Sequence, residues 1–196
     1  MLEEYVILRV ISGIAKGHKL KTIKGISTRP TTDRVKESLF NIISGMIPGA
    51  EVLDIFAGTG SIGIEALSRG ADFAVFVDKS SECTRVIKEN LVHTKLMDKA
   101  SVITGDIFII LNKISKNNKK FDIIFLDPPY KKNLVVETLK CIEKNAIIKP
   151  EGIIIAEHGF DDGVPDEIGG FTRYRCQKYG ITAISFFKAM DGLINL

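Results

Sequence analysis

The residues with the clearest potential for chemistry are Asp127, Pro128, Pro129 and Tyr130, which follow the apolar run Phe121–Leu126. A strand that ends in this way presents a carboxylate, a proline carbonyl and an aromatic face at one point. The exocyclic amine of a nucleobase is a poor nucleophile, because its lone pair is delocalised into the ring. Asp127 and the Pro128 carbonyl can each accept one of its N–H groups while Tyr130 stacks on the base. The pattern predicts alkylation of such an amine, with a plain proline turn as the alternative.

A second predicted site lies upstream, where the apolar run 51–56 leads into a glycine-rich loop and then a helical pattern. Residues 58–63 have the G-x-G-x-x-G spacing and Asp78 ends the next strand, so a nicotinamide dinucleotide has to be considered. Asp54 argues against it, because a carboxylate just before the first glycine would repel a pyrophosphate. It would attract a sulfonium ligand that carries an ammonium group. The sequence therefore favours S-adenosylmethionine as the cofactor.

Acidic residues also follow the next two predicted strands. Asp78 is placed to accept hydrogen bonds from ribose hydroxyls, and Asp106, after Gly105, to accept one from the adenine amino group. Ile107 and Phe108 would supply apolar contacts to the adenine ring. A helix N-cap is an open alternative for Asp106. The predicted cofactor site comprises Asp54, Phe56, Ala57, Gly58, Thr59, Gly60, Asp78, Lys79, Gly105, Asp106 and Ile107.

The elements that must position these residues alternate along the chain. Strands are predicted at 52–56, 73–78, 101–104, 121–126 and 153–156, and helices at 33–44, 61–69, 81–91, 108–115 and 133–145. Antiparallel hairpins are predicted near residues 5–22 and from 173–178 with 181–188. Alternating units of this kind form a doubly wound α/β fold with a mostly parallel sheet, in which ligands bind at the carboxyl ends of the strands.

Composition predicts one catalytic domain preceded by a short basic arm. At 196 residues and 45% hydrophobic content, the chain can bury one full core. Residues 1–40 hold eight Lys and Arg against four acids, and the remainder holds slightly more acids than bases. We predict a phosphate-attracting hairpin arm at residues 1–30 and a methyltransferase domain at 31–196, although a solvated hairpin would carry the same charge. Lys131 and Lys132 could reach a phosphate beside the target base.

Four blocks of sequence resemble the bacterial 16S ribosomal RNA guanine N2-methyltransferases of class I, whose target is guanine 966. These blocks are residues 9–17, 27–43, 53–60 and 127–130, in the family's order. The resemblance implies a seven-stranded sheet with one antiparallel strand. It also implies that S-adenosylmethionine is the cofactor and that 16S rRNA, in a small ribosomal subunit or its assembly intermediate, is the partner. It further places a group of side chains near the substrate or cofactor: Arg29, Thr31, Arg34 and Glu37.

Two other functions stay open. An adenine N6-methyltransferase acting on DNA also uses Asp-Pro-Pro-Tyr, although this chain lacks the length for an added recognition domain. A non-catalytic RNA-binding or assembly factor on the same fold is disfavoured, because the residues of both predicted sites occur together. The sequence shows no long apolar run, signal peptide or metal-ligand spacing, so we expect a cytoplasmic protein without a metal or membrane partner.

Overall fold

The computed structural model describes residues 8–23, 33–129 and 133–190. The helices in these ranges are α1 Asp33–Ile42, α2 Ser61–Ser68, α3 Ser81–His93, α4 Ile107–Lys116 and α5 Leu134–Asn145. The strands are β1 Glu51–Ile55, β2 Phe73–Asp78, β3 Ala100–Thr104, β4 Phe121–Leu126, β5 Ile148–Gly159, β6 Glu167–Ile168, β7 Phe171–Tyr179 and β8 Thr182–Ala189. No helix in these three ranges has the length and apolarity needed to cross a lipid bilayer.

All of these strands join one sheet in the order β3-β2-β1-β4-β5-β8-β7-β6. The first five are parallel to one another, whereas β8 runs antiparallel to both β5 and β7. The predicted doubly wound α/β fold is confirmed. The strand order reverses between β1 and β4, and doubly wound folds bind ligands in a crevice at the carboxyl ends of the strands at this point of reversal.

The expectation of seven strands was wrong by one short edge strand. β6 pairs with the start of β7 through Ile168 and Phe171, across a turn in which Gly169 has a φ of +58°. A strand of two residues is too short to show the period-two alternation by which strands are recognised in a sequence. Within the described ranges the other seven strands include the single antiparallel strand that was expected, β8.

The sheet separates two hydrophobic cores. Helices α1, α2 and α3 pack on one face, against Phe125 and Ile155 among others. Helices α4 and α5 pack on the other face, against Leu126 and Ala156 among others. Neighbouring residues of a strand therefore point into different cores, as the pleat requires. This alternation decides on which side of the sheet each side chain beyond a strand end lies.

The described part of the N-terminal arm, residues 8–23, folds back on itself and docks on α2. Residues Arg9 and Lys19 form an antiparallel bridge, consistent with the predicted hairpin. The fully buried Glu65 carboxylate accepts the backbone N–H groups of Ile11 at 2.7 Å and Ser12 at 3.0 Å. Two cations face this carboxylate: Arg69 Nε donates to it at 2.7 Å, and the Lys36 ammonium, also fully buried, lies 3.6 Å away. The arm therefore shares a buried polar anchor with the main domain.

Candidate functional site

The loop between β1 and α2 is built from backbone conformations that few residues adopt. Phe56, Gly58 and Gly60 all have positive φ, at 61°, 54° and 77°. The Ala57 N–H donates to the Val77 carbonyl at 3.2 Å, and the Gly60 N–H donates to the Ala57 carbonyl at 2.7 Å. A Cβ added to Gly58 would meet no atom closer than the Phe56 carbonyl oxygen at 3.9 Å. The backbone at Gly58 is therefore open to close approach by a ligand.

Asp78 organises this loop from the end of β2. Its Oδ2 accepts the N–H of Gly58 at 2.9 Å, and its Oδ1 accepts the N–H of Ser80 at 2.8 Å. A carboxylate has further lone pairs after two such bonds, so the predicted acceptance of ribose hydroxyls is compatible with this role. Lys79, beside it, is exposed.

Asp54 is the buried charge of the site, with only 3% of its surface exposed. Its Oδ2 accepts the N–H of Gly63 at 3.0 Å. Burial, reinforced by the charge of Asp78, raises the pKa of Asp54 to about 7 despite that hydrogen bond. A cationic group beside Asp54 would offset the desolvation of its charged form, whereas a pyrophosphate would increase it.

Gly63 makes room for this arrangement, which leads to a prediction. A Cβ at this position would lie 2.3 Å from Cε1 of the buried Phe76 and 3.1 Å from Oδ2 of Asp54. We expect Gly63→Ala to lower the free energy of unfolding by about 1–3 kcal/mol, because the neighbouring strand and helix must separate. Urea unfolding measures this effect. Gly45→Ala is the control, since no atom lies within 4 Å of its added Cβ; equal losses in both variants would contradict the packing explanation.

Asp127 stands beyond β4, next to the end of β1, and its N–H donates to the Ile55 carbonyl at 3.3 Å. Crowding by protein atoms, followed by the charges of Glu157 and Asp54, raises the pKa of Asp127 well above its ordinary range. Its side chain nevertheless keeps solvent-exposed surface. The carboxyl group is therefore accessible beyond the strand ends yet poorly hydrated, and its raised pKa makes it a better proton acceptor than an ordinary aspartate. 

The two prolines after Asp127 differ in exposure, since Pro128 is buried and Pro129 is exposed. Tyr130, the aromatic member of the predicted amine site, lies outside the described residues. Glu157 near the end of β5 was not among the predicted site residues, yet its charge acts on Asp127. The signal available in the sequence was its position directly after the apolar run 153–156, which matches the position of Asp127 after β4.

Asp106 adopts the N-cap role that the sequence left open. Its Oδ1 accepts the N–H groups of Phe108 at 2.9 Å and Ile109 at 3.4 Å, at the start of α4. The Gly105 N–H donates to the Asp78 carbonyl at 3.0 Å, so the ends of β2 and β3 are joined. Ile107 is buried on the inner side of α4. Recognition of an adenine amino group by Asp106 stays a prediction.

The predicted substrate-side residues are only partly within the described ranges. Arg34 and Glu37 are exposed in the first two turns of α1. Ser38 in the same helix shares a hydrogen bond of 2.6 Å with the Tyr179 hydroxyl at the end of β7. This contact places the helix on the sheet face of Asp127, near the strand ends. A further set of predicted residues lies outside the described ranges: Arg29, Thr31, Lys131 and Lys132.

Comparisons with known proteins agree in family and fold. The family model described as Conserved hypothetical protein 95 matches residues 8–188. The Bacillus subtilis protein named "Putative rRNA methyltransferase YlbH" is 41% identical over 181 residues, which cover 92% of this chain and 98% of that protein. The "Ribosomal RNA small subunit methyltransferase D" of Escherichia coli K12 is 32% identical over 181 residues, covering 92% and 89%. The solved structure of "Putative methyltransferase yhhF from Escherichia coli" has a TM-score of 0.81 at 29% identity, covering 93% and 98%.

Proposed function

We propose, since the chain belongs to the Conserved hypothetical protein 95 family, that it methylates the exocyclic N2 of a guanine in 16S rRNA with S-adenosylmethionine as donor. The relatives named as rRNA methyltransferases support the reaction and the class of substrate. The observation that carries the proposal is the position of Asp127 beside β1 and the glycine loop, at the point where the strand order reverses. The resemblance to guanine N2-methyltransferases extends the proposal to guanine 966, in the cytoplasm, within the small subunit or its precursor.

The residues of the glycine loop fit S-adenosylmethionine. This cofactor supplies, when bound, an electrophilic methyl group on a cationic sulfur. Asp54 would attract the positive charges of the donor, because burial raises its pKa to about 7 and a neighbouring cation would favour its ionised form. The open backbone at Gly58 lets the ligand lie against the loop that Asp78 holds in place.

Asp127 and Pro128 would act on the target base. The Asp127 carboxylate accepts one N–H of the guanine N2 amine and the Pro128 carbonyl accepts the other, which fixes the amine and turns its lone pair toward the donor. The positive charge that develops on the nitrogen as it is alkylated is stabilised by Asp127, which can take the proton. To enter this crevice the guanine must leave its stack. 

The arm would contribute attraction for RNA phosphates. Lys16, Lys19 and Lys21 are exposed on the described part of the arm. Two of them, Lys19 and Lys21, border a surface groove together with Lys88, Glu89 and His93 of α3. Lys21 is paired with Glu89 at 2.8 Å, so Lys19 and Lys88 supply the remaining positive charge of this groove. Exposed cations along a groove bind a nucleic-acid backbone without reading its sequence.

Mapping the product tests the proposal. We expect the purified protein to transfer one labelled methyl group to small subunits from cells that lack this enzyme. Mass spectrometry of nucleosides from the isolated 16S rRNA should then show N2-methylguanosine. N6-methyladenosine in its place would overturn the guanine assignment. An absence both of transfer and of S-adenosylmethionine binding by calorimetry would overturn the enzymatic function.

A further inference from the structure

Strand register places a second carboxylate directly beside Asp127. β4 and β5 are parallel, and Leu126 is paired with Ala156 at the end of β4. The residues that follow are Asp127 and Glu157, so these two acids occupy the same level on neighbouring strands. Adjacent strands lie about 4.8 Å apart, which brings both side chains within reach of one planar ligand.

Both side chains also lie on the same face of the sheet. Phe125 and Ile155, each two residues earlier, are members of the core beneath α1, α2 and α3. Side chains two residues apart in a strand share a face, so Asp127 and Glu157 continue this face beyond the core. Ile184 of β8, which pairs with Glu157, belongs to that core as well.

Packing leaves Glu157 at the border between core and crevice. Glu157 is half-buried, whereas Ala156 and His158 on either side of it are buried. The negative charge of Glu157 contributes to raising the pKa of Asp127, in agreement with the closeness of the two carboxyl groups. Both are hydrogen-bond acceptors when ionised, so a ligand that spans them has to present two donors side by side.

The Watson–Crick edge of guanine has this arrangement, since N1–H and the N2 amine are adjacent donors. Adenine instead presents an unprotonated N1 next to its amine, and a carboxylate repels that lone pair. We propose that Glu157 accepts the N1–H of the target guanine while Asp127 accepts the N2–H, so that Glu157 selects guanine over purines with an unprotonated N1. This inference rests on the proposed function and assigns its base specificity to a residue of β5.

A base-analogue experiment tests this role. Small subunits are reconstituted with 16S rRNA whose target position carries either guanine or 2-aminopurine, which keeps the 2-amine but has an unprotonated N1. We expect the unaltered protein to favour guanine by about 100-fold or more in kcat/KM, because a buried polar group left unpaired is strongly disfavoured. Glu157→Gln should reduce this preference at least about 10-fold, since an amide can donate to the N1 of 2-aminopurine. 2-Aminopurine also lacks the O6 of guanine, and this loss affects the unaltered protein and Glu157→Gln equally.

The controls separate a specificity role from a structural one. Glu151→Gln removes an exposed acid from the opposite end of the same strand and should leave the preference unchanged. Glu157→Ala, which deletes the acceptor without adding a donor, should lower the preference through reduced transfer to guanine. Both Glu157 variants should bind S-adenosylmethionine with unaltered affinity. If the unaltered protein transfers normally and Glu157→Gln keeps the same preference for guanine, this inference alone is overturned. If the unaltered protein transfers no methyl group to guanine, the proposed function is overturned as well.

Discussion

Asp127→Ala is expected to bind S-adenosylmethionine but to transfer the methyl group about a hundredfold or more slowly than the unaltered protein. The side chain has two tasks in the proposed reaction, because it orients the N2 amine and stabilises the charge that develops on it. Loss of a positioned proton acceptor alone reduces rates by about 10²–10⁴-fold. Single-turnover transfer to small subunits measures the rate, and calorimetry measures donor binding.

Asp127→Asn separates the two tasks. Its amide oxygen still accepts an N–H but takes up neither negative charge nor a proton near neutral pH. A rate close to that of the unaltered protein would show that orientation of the amine is sufficient. A rate close to that of Asp127→Ala would assign the effect to the charge. Full activity of the alanine variant would exclude Asp127 from the reaction.

Asp54→Asn is expected to produce a more stable protein that no longer binds the cofactor well. Folding raises the pKa of Asp54 from 3.8 to about 7, so the folded state favours the protonated form. The contribution of Asp54 to the free energy of unfolding is therefore largest below pH 3.8, and it declines as pH rises to 7. The loss is on the order of 4 kcal/mol above pH 7. 

The asparagine variant is neutral at every pH and keeps an acceptor for the Gly63 N–H. We therefore expect its free energy of unfolding in urea to exceed that of the unaltered protein at pH 8, with the difference vanishing toward pH 4. Asp72→Asn, which alters an exposed acid, is the matched control and should follow the unaltered protein. Parallel pH profiles for Asp54→Asn and the unaltered protein would contradict a raised pKa at Asp54.

Cofactor binding should change in the opposite direction. Removal of a buried charge that faces a cation costs about 1.5–3 kcal/mol, which corresponds to roughly 10- to 150-fold in Kd for S-adenosylmethionine. Binding to the unaltered protein should also tighten between pH 6 and 8, because the cation favours the ionised form of Asp54, and protons are released. Calorimetry in buffers of different ionisation enthalpy detects this release. 

The sequence alone determined the elements whose signals are local. β2 and β4 were predicted to the residue, because each is a short run that is apolar apart from one aspartate, Asp78 in β2 and Asp122 in β4. The sequence also placed Asp54 and Asp127 toward the carboxyl ends of parallel strands, the edge of the sheet at which such folds bind ligands. β5 was predicted only at 153–156, because Lys149 and Glu151 interrupt its apolar pattern, and Lys149 is instead paired with Asp122 of β4.

The tertiary structure decided how distant segments face each other. Capping by Asp106 and loop support by Asp78 depend on backbone N–H groups whose directions no residue pattern specifies. Docking of the arm depends on Glu65, more than fifty residues away in the chain. The register that brings Glu157 level with Asp127 arises from pairing between strands separated by a whole helix. Periodicity and turn chemistry depend on adjacent residues, whereas strand register is selected by the packing of the complete sheet.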